Sequence, residues 1–267
     1  MRPNVQPFAE GIMERGMTVA KKPKAVWTWD QIVRAMELIN ENHSLAIGYV
    51  EMLRIPVYDQ EYLKRFNKTF SAHGLEMIRN ALHQAGVMSL CRLWDSSKDA
   101  LSIPNALCAL RRYPHIKATL SRRHQGMMEL PTEMAKVRDD ARDPHIQNSL
   151  ERLARRQAAE MVTRTKQTFR ELYSLAAQDS FIELVGAVTN WRHKIAHPVV
   201  VTKLERSGVA VSPLKWGDLE TALAQTSQIV ALLNLLIDDL NIYPKDSHKV
   251  WERYGAVFWK SVSATPE

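Results

Sequence analysis

The chain has 267 residues, of which 45% are hydrophobic and 24% are charged. These proportions are ordinary for a soluble globular protein, so they exclude a disordered or fibrous chain and allow one large domain or two small ones. The formal net charge of +7 favours an anionic partner, although so modest an excess does not identify one.

The cysteine content and the apolar runs bear on the compartment in which the protein works. Cys91 and Cys108 are the two cysteines of the chain, too few for a disulfide framework, and we interpret them as core thiols in a reducing cytosol. No apolar run reaches the roughly 18 residues that a membrane-spanning helix needs, and the N-terminus lacks a compact hydrophobic signal region. We therefore expect a cytoplasmic protein with no membrane partner.

The N-terminal part of the chain predicts a flexible tail followed by one domain. Residues 1–25 hold three prolines and the run KKPK, a composition typical of a loose, solvated tail. Thr28 is predicted to cap the first helix, because apolar residues recur at helical spacing directly after it. Pro56 is predicted to break this segment. Residues 26–267 are expected to form a single, mostly helical domain.

The middle of the chain is predicted to be helical almost throughout. From about 59–94, apolar residues recur at the spacing of one helical face. A short helix is then expected to carry Pro104 in its first turn. The segment 111–124, RRYPHIKATLSRRH, is strongly basic. A long helix with a continuous apolar stripe follows over about 145–177.

The last third of the chain combines helices with the one good strand signal. Asp179 is predicted to be the N-cap of a helix that runs into WRHKIAHP, residues 191–198. Residues 199–212 carry β-branched runs on either side of a glycine-containing turn, which predicts a small β-hairpin. Two further helices are predicted over about 215–240 and 246–261. The expected fold class is all-α, with the hairpin placed after the motif helix.

The segment WRHKIAHP places an arginine, two histidines and a lysine at the predicted end of a helix. His193 and His197 are four residues apart and share a helical face, whereas Arg192 lies about 140° from His197 on a regular helix. Pro198 disfavours helical geometry at His197, so the last turn is expected to unwind and to move that imidazole. Apolar residues at helical spacing should face the core. They are Phe181, Leu184, Val185, Val188, Trp191 and Ile195.

Three interpretations of this basic cluster stay open on the residues alone. Basic side chains in a last turn complement the helix dipole and bind free carbonyls, a purely structural role. The His-x-x-x-His pair suits zinc, but a third ligand is missing, and the adjacent arginine and lysine oppose a cation. In the third, the histidines move protons while Arg192 stabilises the negative charge of a phosphodiester under cleavage. That chemistry needs no metal if the nucleophile is the 2′-hydroxyl of RNA.

The motif resembles that of the HEPN superfamily, in which an arginine, a polar residue, three further residues and a histidine lie near the end of a helix. Here it reads Arg192, His193, Lys194-Ile195-Ala196 and His197. The upstream stretch SLCRLWDSSKDALSIPNAL, residues 89–107, is similar to the abortive-infection (AbiU-type) HEPN subfamily, where an R-L-x-D helix end precedes a short connector. The resemblance covers most of residues 26–240.

This resemblance implies a HEPN-like helical bundle with extra helices that dimerises and, as in many members, acts as a metal-independent endoribonuclease, toxin or antiphage effector. On that pattern Arg192 and His197 are catalytic, and His193 assists by orienting a group or a phosphate. Cleavage needs a base for the 2′-hydroxyl and an acid for the leaving 5′-oxygen, so two motifs at a two-fold seam would supply both. The expected partners are RNA, a second copy of the chain and an antitoxin protein, with no cofactor or metal. The alternative is a catalytically inactive HEPN-like interaction or RNA-binding module.

Further charged residues give weaker signals. Lys194 is predicted to contact RNA, and so are four arginines of 111–124, where Tyr113 adds a ring on which a base can stack. Those arginines are Arg111, Arg112, Arg122 and Arg123. A solvated connector is the alternative for that segment. Asp95 and Asp99 lie between predicted helices, and we prefer helix capping or ion pairing to metal binding for both.

Overall fold

The computed structural model describes residues 27–66, 71–97, 99–137, 143–196, 206, 214–237 and 244–262. Within these ranges the chain is helical, with no strand, so the all-α prediction is confirmed there. The helices are α1 (Trp29–Tyr58), α2 (Gln60–Phe66), α3 (Ser71–Leu93), α4 (Ile103–Leu110), α5 (Tyr113–Val137), α6 (Pro144–Ala176), α7 (Asp179–Ala196), α8 (Trp216–Ile237) and α9 (Pro244–Ser261).

The small β-hairpin predicted over 199–212 is not supported. Apart from Arg206, its residues lie outside the described part of the chain, and Arg206 itself is helical. Valine-rich runs favour strands only where neighbouring strands and burial reward them, because β propensity depends strongly on context. The predicted tail over 1–25 also lies outside the described residues.

The start of α1 confirms the sequence prediction, and its end corrects it. The Thr28 hydroxyl accepts from Gln31 N at 3.3 Å, while the Gln31 side chain accepts from Thr28 N at 2.8 Å, which together form a capping box. Pro56 does not break the helix, which continues to Tyr58. A proline removes the backbone bond to the carbonyl four residues earlier, and that carbonyl, on Met52, instead accepts from Trp259 Nε1 at 2.5 Å.

Two other boundary predictions have different outcomes. Pro104 lies in the first turn of α4, as predicted. The long helix predicted over 145–177 is α6, which starts one residue earlier. The Asp143 carboxylate caps it by accepting a hydrogen bond from His145 N at 2.8 Å. Asp179 is the first residue of α7 and not its N-cap. Its negative charge therefore stabilises the helix by interacting with the positive N-terminal end of the helix dipole.

The hydrophobic core is built around α1 and α8. α1 packs against α3, α4, α8 and α9, while α8 also packs against α6 and α7. α8 is buried on several faces, including Leu219, Leu223, Val230 and Leu233, as expected of a helix enclosed by others. The Trp94 ring stands edge-on to Phe181 with centroids 4.9 Å apart. This contact joins the end of α3 to the start of α7, the motif helix.

α9 packs closely on α1 because each of the two helices has a glycine at the contact. A Cβ on Gly255 would lie 3.2 Å from the Glu51 carbonyl oxygen, and one on Gly48 would lie 3.2 Å from the Trp251 ring. The buried Glu51 carboxylate lies 2.7 Å from His248 Nδ1 and 3.4 Å from Arg54 Nε. α9 is therefore fixed by close packing together with the contact between His248 and the buried Glu51 carboxylate.

Candidate functional site

The helix that carries the motif is anchored by its apolar face. Phe181 and Val188 of α7 are fully buried in the main core. Four half-buried residues pack against the same core, as their spacing predicts: Leu184, Val185, Trp191 and Ile195. α7 contacts α3, α6 and α8. The next residue after Trp191 is Arg192, so a rigid, packed scaffold determines where its side chain leaves the helix.

Arg192 lies close to the C-terminal end of α3. The Cys91 thiol donates to the Val188 carbonyl oxygen at 3.6 Å, which joins the two helices one turn before Arg192. Burial raises the pKa of Cys91 to about 12, with the Arg192 charge acting to lower it and the Asp95 charge acting to raise it. Both charges therefore reach the same thiol, at the contact between α3 and α7.

The Arg192 side chain has no anionic partner in the described part of the chain. It is half-buried, and no hydrogen bond or ion pair there involves its guanidinium group. A guanidinium offers five N–H donors in a planar fork that matches phosphate or carboxylate oxygens. The half-buried Arg192 guanidinium group, which has no anionic partner among the described residues, is therefore suited to binding an external anion.

The other motif residues are placed only in part. His193 follows Arg192 and is exposed, and Lys194 is half-buried. His197 lies outside the described residues, immediately beyond Ala196, the last residue of α7. The predicted unwinding at His197 and its distance from Arg192 therefore stay predictions. The Nε1 of Trp191 is buried without a hydrogen-bond partner in the described structure.

Beside the motif, several hydrogen bonds join the described residues of the connector that follows α3. The Asp95 carboxylate accepts from Ser97 N at 2.8 Å, a bond that closes a turn in the connector and does not cap a helix. The Ser102 hydroxyl donates to the Asp95 carbonyl oxygen at 2.6 Å. Asn105 Nδ2 donates to the carbonyl oxygens of Ser97 and Ala100 at 2.7 and 2.8 Å. The R-L-x-D end of α3 therefore lies beside Arg192, a proximity that sequence spacing did not reveal.

The basic segment 111–124 forms a helix corner and the first turns of α5, and its arginines have different surroundings. Arg122 stacks 4.5 Å above the Trp29 ring and donates to the Ile237 carbonyl oxygen at 2.9 Å. Arg123 is 7% exposed and donates to the Leu235 carbonyl oxygen. Burial lowers the Arg123 pKa, and the Arg122 charge adds to that shift. These two arginines neutralise the carbonyl end of α8, a structural role.

Arg111 and Arg112 lie at the α4–α5 corner and are half-buried. Burial raises the pKa of Cys108, which the Arg112 and Arg111 charges act to lower. Arg111 also acts on the half-buried Tyr173, whose pKa is raised by desolvation and whose hydroxyl donates to the Leu107 carbonyl oxygen at 2.9 Å. The four predicted RNA-binding arginines therefore do not form one track, since two bond to the end of α8 and two lie at the α4–α5 corner.

Across the described ranges, no group of three or more histidine, cysteine, aspartate or glutamate side chains is placed to hold a metal ion. Nor is any helix in those ranges both long and apolar enough to cross a membrane.

The chain was compared with protein families, curated proteins and solved structures. Neither the curated proteins nor the solved structures gave a significant match. The model of the HEPN family described as AbiU2 matches residues 29–254, from the first residue of α1 to the middle of α9. The match includes the α3 connector, the Arg192 motif and the core that holds them together. The chain therefore belongs to the AbiU2 family of HEPN proteins.

Proposed function

We propose that this protein is a metal-independent endoribonuclease in which Arg192, His193 and His197 form the active site. One observation carries the proposal: in a chain of a HEPN family, the motif arginine is half-buried and has no anionic partner among the described residues. Burying a cation without a counter-charge is costly, and a phosphate group would remove that cost.

The reaction proceeds by attack of a ribose 2′-oxygen on the adjacent phosphorus. One imidazole takes the 2′-hydroxyl proton as the new P–O2′ bond forms, and an imidazolium gives a proton to the 5′-oxygen as the P–O5′ bond breaks. The products are a 2′,3′-cyclic phosphate and a free 5′-hydroxyl. Because imidazoles exchange protons near neutral pH and arginine supplies positive charge, the residues can perform each step without a metal ion.

Within this mechanism Arg192 binds the phosphate oxygens that gain charge in the transition state. The α3 connector lies beside the arginine, and no ion pair joins the Asp95 carboxylate to Arg192 in the described part of the chain. His193 orients the phosphate from the exposed side, and His197 exchanges the proton. Half-buried Lys194 supplies further positive charge to the RNA backbone.

Two copies of the chain meet at the motif in this proposal, because one motif offers one well-placed catalytic histidine and the reaction needs both a base and an acid. A toxin or antiphage role follows from unrestricted RNA cleavage, which is harmful to a cell. Such a role would require an antitoxin protein that covers the same seam. The dimer, the toxin role and the antitoxin are separate parts of the proposal.

The first experiment is cleavage of total RNA in EDTA by the wild type, Arg192→Ala and His197→Ala. Only the wild type is expected to cleave, and its product should carry a 2′,3′-cyclic phosphate. Each substitution should reduce the rate at least about a hundredfold, the range over which single acid–base or charge-stabilising groups act. Arg192→Lys should restore little, because a lysine cannot donate through a planar fork.

Matched controls separate chemistry from folding. His73→Ala removes an exposed histidine of α3, and Arg155→Ala removes an exposed arginine of α6 that pairs with Glu151 at 3.5 Å. Both should cleave as the wild type does. Equal cleavage by wild type and His197→Ala would refute the assignment. RNA binding without cleavage, by all variants alike, would instead establish a non-catalytic module.

A further inference from the structure

α9 has a second apolar face that is exposed in the described part of the chain. One face of the helix, with Gly255 and Trp259, lies on α1. On the other, Val250, Tyr254 and Val257 are 52%, 59% and 63% exposed, and the adjacent Phe258 is 41% exposed. Together they expose several hundred Å² of apolar surface, the size at which a patch on a single chain usually marks an interaction site.

The spacing of this face is that of a helix-pairing seam. Ser247, Val250, Tyr254, Val257 and Ser261 are separated by three, four, three and four residues, the heptad pattern of coiled coils. Two identical helices that carry such a seam can pair through it about a two-fold axis, with each copy presenting the same residues to the other, which is an isologous contact.

The charges beside this seam match the same partner. Asp246, Arg253 and Lys260 recur every seven residues and so lie along one flank of α9. A two-fold axis near Arg253 brings this flank against the same flank of the second helix, running in the opposite direction. Asp246 then faces Lys260 of the other copy, and Lys260 faces its Asp246. Two opposite-charge pairs result, with Arg253 of each copy forming the single like-charge pair.

We propose that α9 is a self-association surface on which a second copy of the chain docks antiparallel, with Tyr254 near the two-fold axis. This surface is separate from the motif, which α7 carries and which packs on α3, α6 and α8. The proposal therefore does not depend on the ribonuclease function. The paired α9 helices, each about 27 Å long, form the apolar centre of the contact, and the flanking charges set its direction.

The test measures the mass of the full chain by sedimentation velocity at about 1 to 100 µM, the range in which interfaces of modest size associate. Tyr254→Lys adds two positive charges beside the two Arg253 side chains at the axis and should halve the mass of the particle. Met77→Lys is the matched control, because Met77 is a 73% exposed apolar residue of α3, and it should leave the mass unchanged. Circular dichroism confirms that both variants are folded. The same mass for wild type and Tyr254→Lys would overturn the proposal.

A charge-reversal cycle tests the antiparallel direction. Asp246→Lys and Lys260→Asp should each weaken association about tenfold, and the double variant should recover most of that loss, because the exchanged charges again face opposite signs across the axis. Within one chain these positions are about 21 Å apart along the helix, so recovery cannot come from an internal ion pair. Arg253→Ala, which removes the like-charge pair, should strengthen association. A double variant weaker than both single ones would overturn the antiparallel arrangement.

Discussion

His43 makes the stability of this fold depend on pH in a direction that the structure determines. The ring is 7% exposed in α1, and its Nε2 lies 2.7 Å from Ser227 Oγ on α8. Burial, with a smaller contribution from the His248 charge, lowers the His43 pKa from 6.5 to about 4. A proton therefore binds the unfolded chain more tightly than the folded one, so that protonation favours unfolding.

The size of this effect follows from the two pKa values. Above about pH 7.5 the ring is neutral in both states and contributes no pH dependence. As the pH falls below 6.5, only the unfolded chain gains the proton, which removes about 2 kcal/mol of folding free energy at pH 5 and about 3 kcal/mol below pH 4. In His43→Gln, the amide can still bond to Ser227 but does not titrate, so this loss should be absent.

The assay is urea unfolding followed by circular dichroism at about pH 7.5, 6.0 and 5.0, for the wild type and His43→Gln. Carboxylates and the other histidines titrate in both proteins, so the difference between the two curves isolates His43. The wild type should lose about 2 kcal/mol more than the variant between about pH 7.5 and pH 5.0. Parallel curves would show that His43 titrates alike in both states and would refute the reasoning.

Further predictions concern packing and thiol chemistry. Trp259→Ala removes a fully buried ring that bonds to the Met52 carbonyl oxygen, and it should cost about 3–5 kcal/mol in urea unfolding. Gly255→Ala should destabilise the fold, because the added Cβ would press on the α1 backbone. Gly186→Ala in α7 adds a Cβ that meets no neighbouring atom, so it should stabilise the fold by about 0.5–1 kcal/mol. Equal effects of the two substitutions would contradict the assigned packing. In the folded protein at about pH 8, a thiol reagent should modify the half-buried Cys108 well before Cys91, because the Cys91 thiol is buried and its pKa is raised to about 12. Mass spectrometry of the labelled peptides will show the order of modification.

The sequence determined the helical class and the position of the motif. Helix periodicity and capping are local properties, so the apolar stripe of α7 and the Thr28 N-cap were predictable from the sequence alone. The arginine and histidines of the motif are recognisable for the same reason, because six consecutive residues carry them. The resemblance to HEPN proteins rested on these local features together with the α3 connector, and the AbiU2 match over 29–254 confirmed it.

Only the tertiary structure decided which residues are near one another. Pro56 is tolerated because Trp259, 203 positions later in the chain, bonds to the carbonyl oxygen that the proline leaves unpaired. Arg122 and Arg123 were predicted to bind RNA because they lie in a basic run of the sequence. In the structure, their side chains donate to carbonyl oxygens at the end of α8. Asp95 and Arg192 act on one thiol although 97 positions separate them. A single sequence carries local periodicity, whereas pairings between distant residues depend on how the helices pack, and those pairings set the surroundings of each charged group.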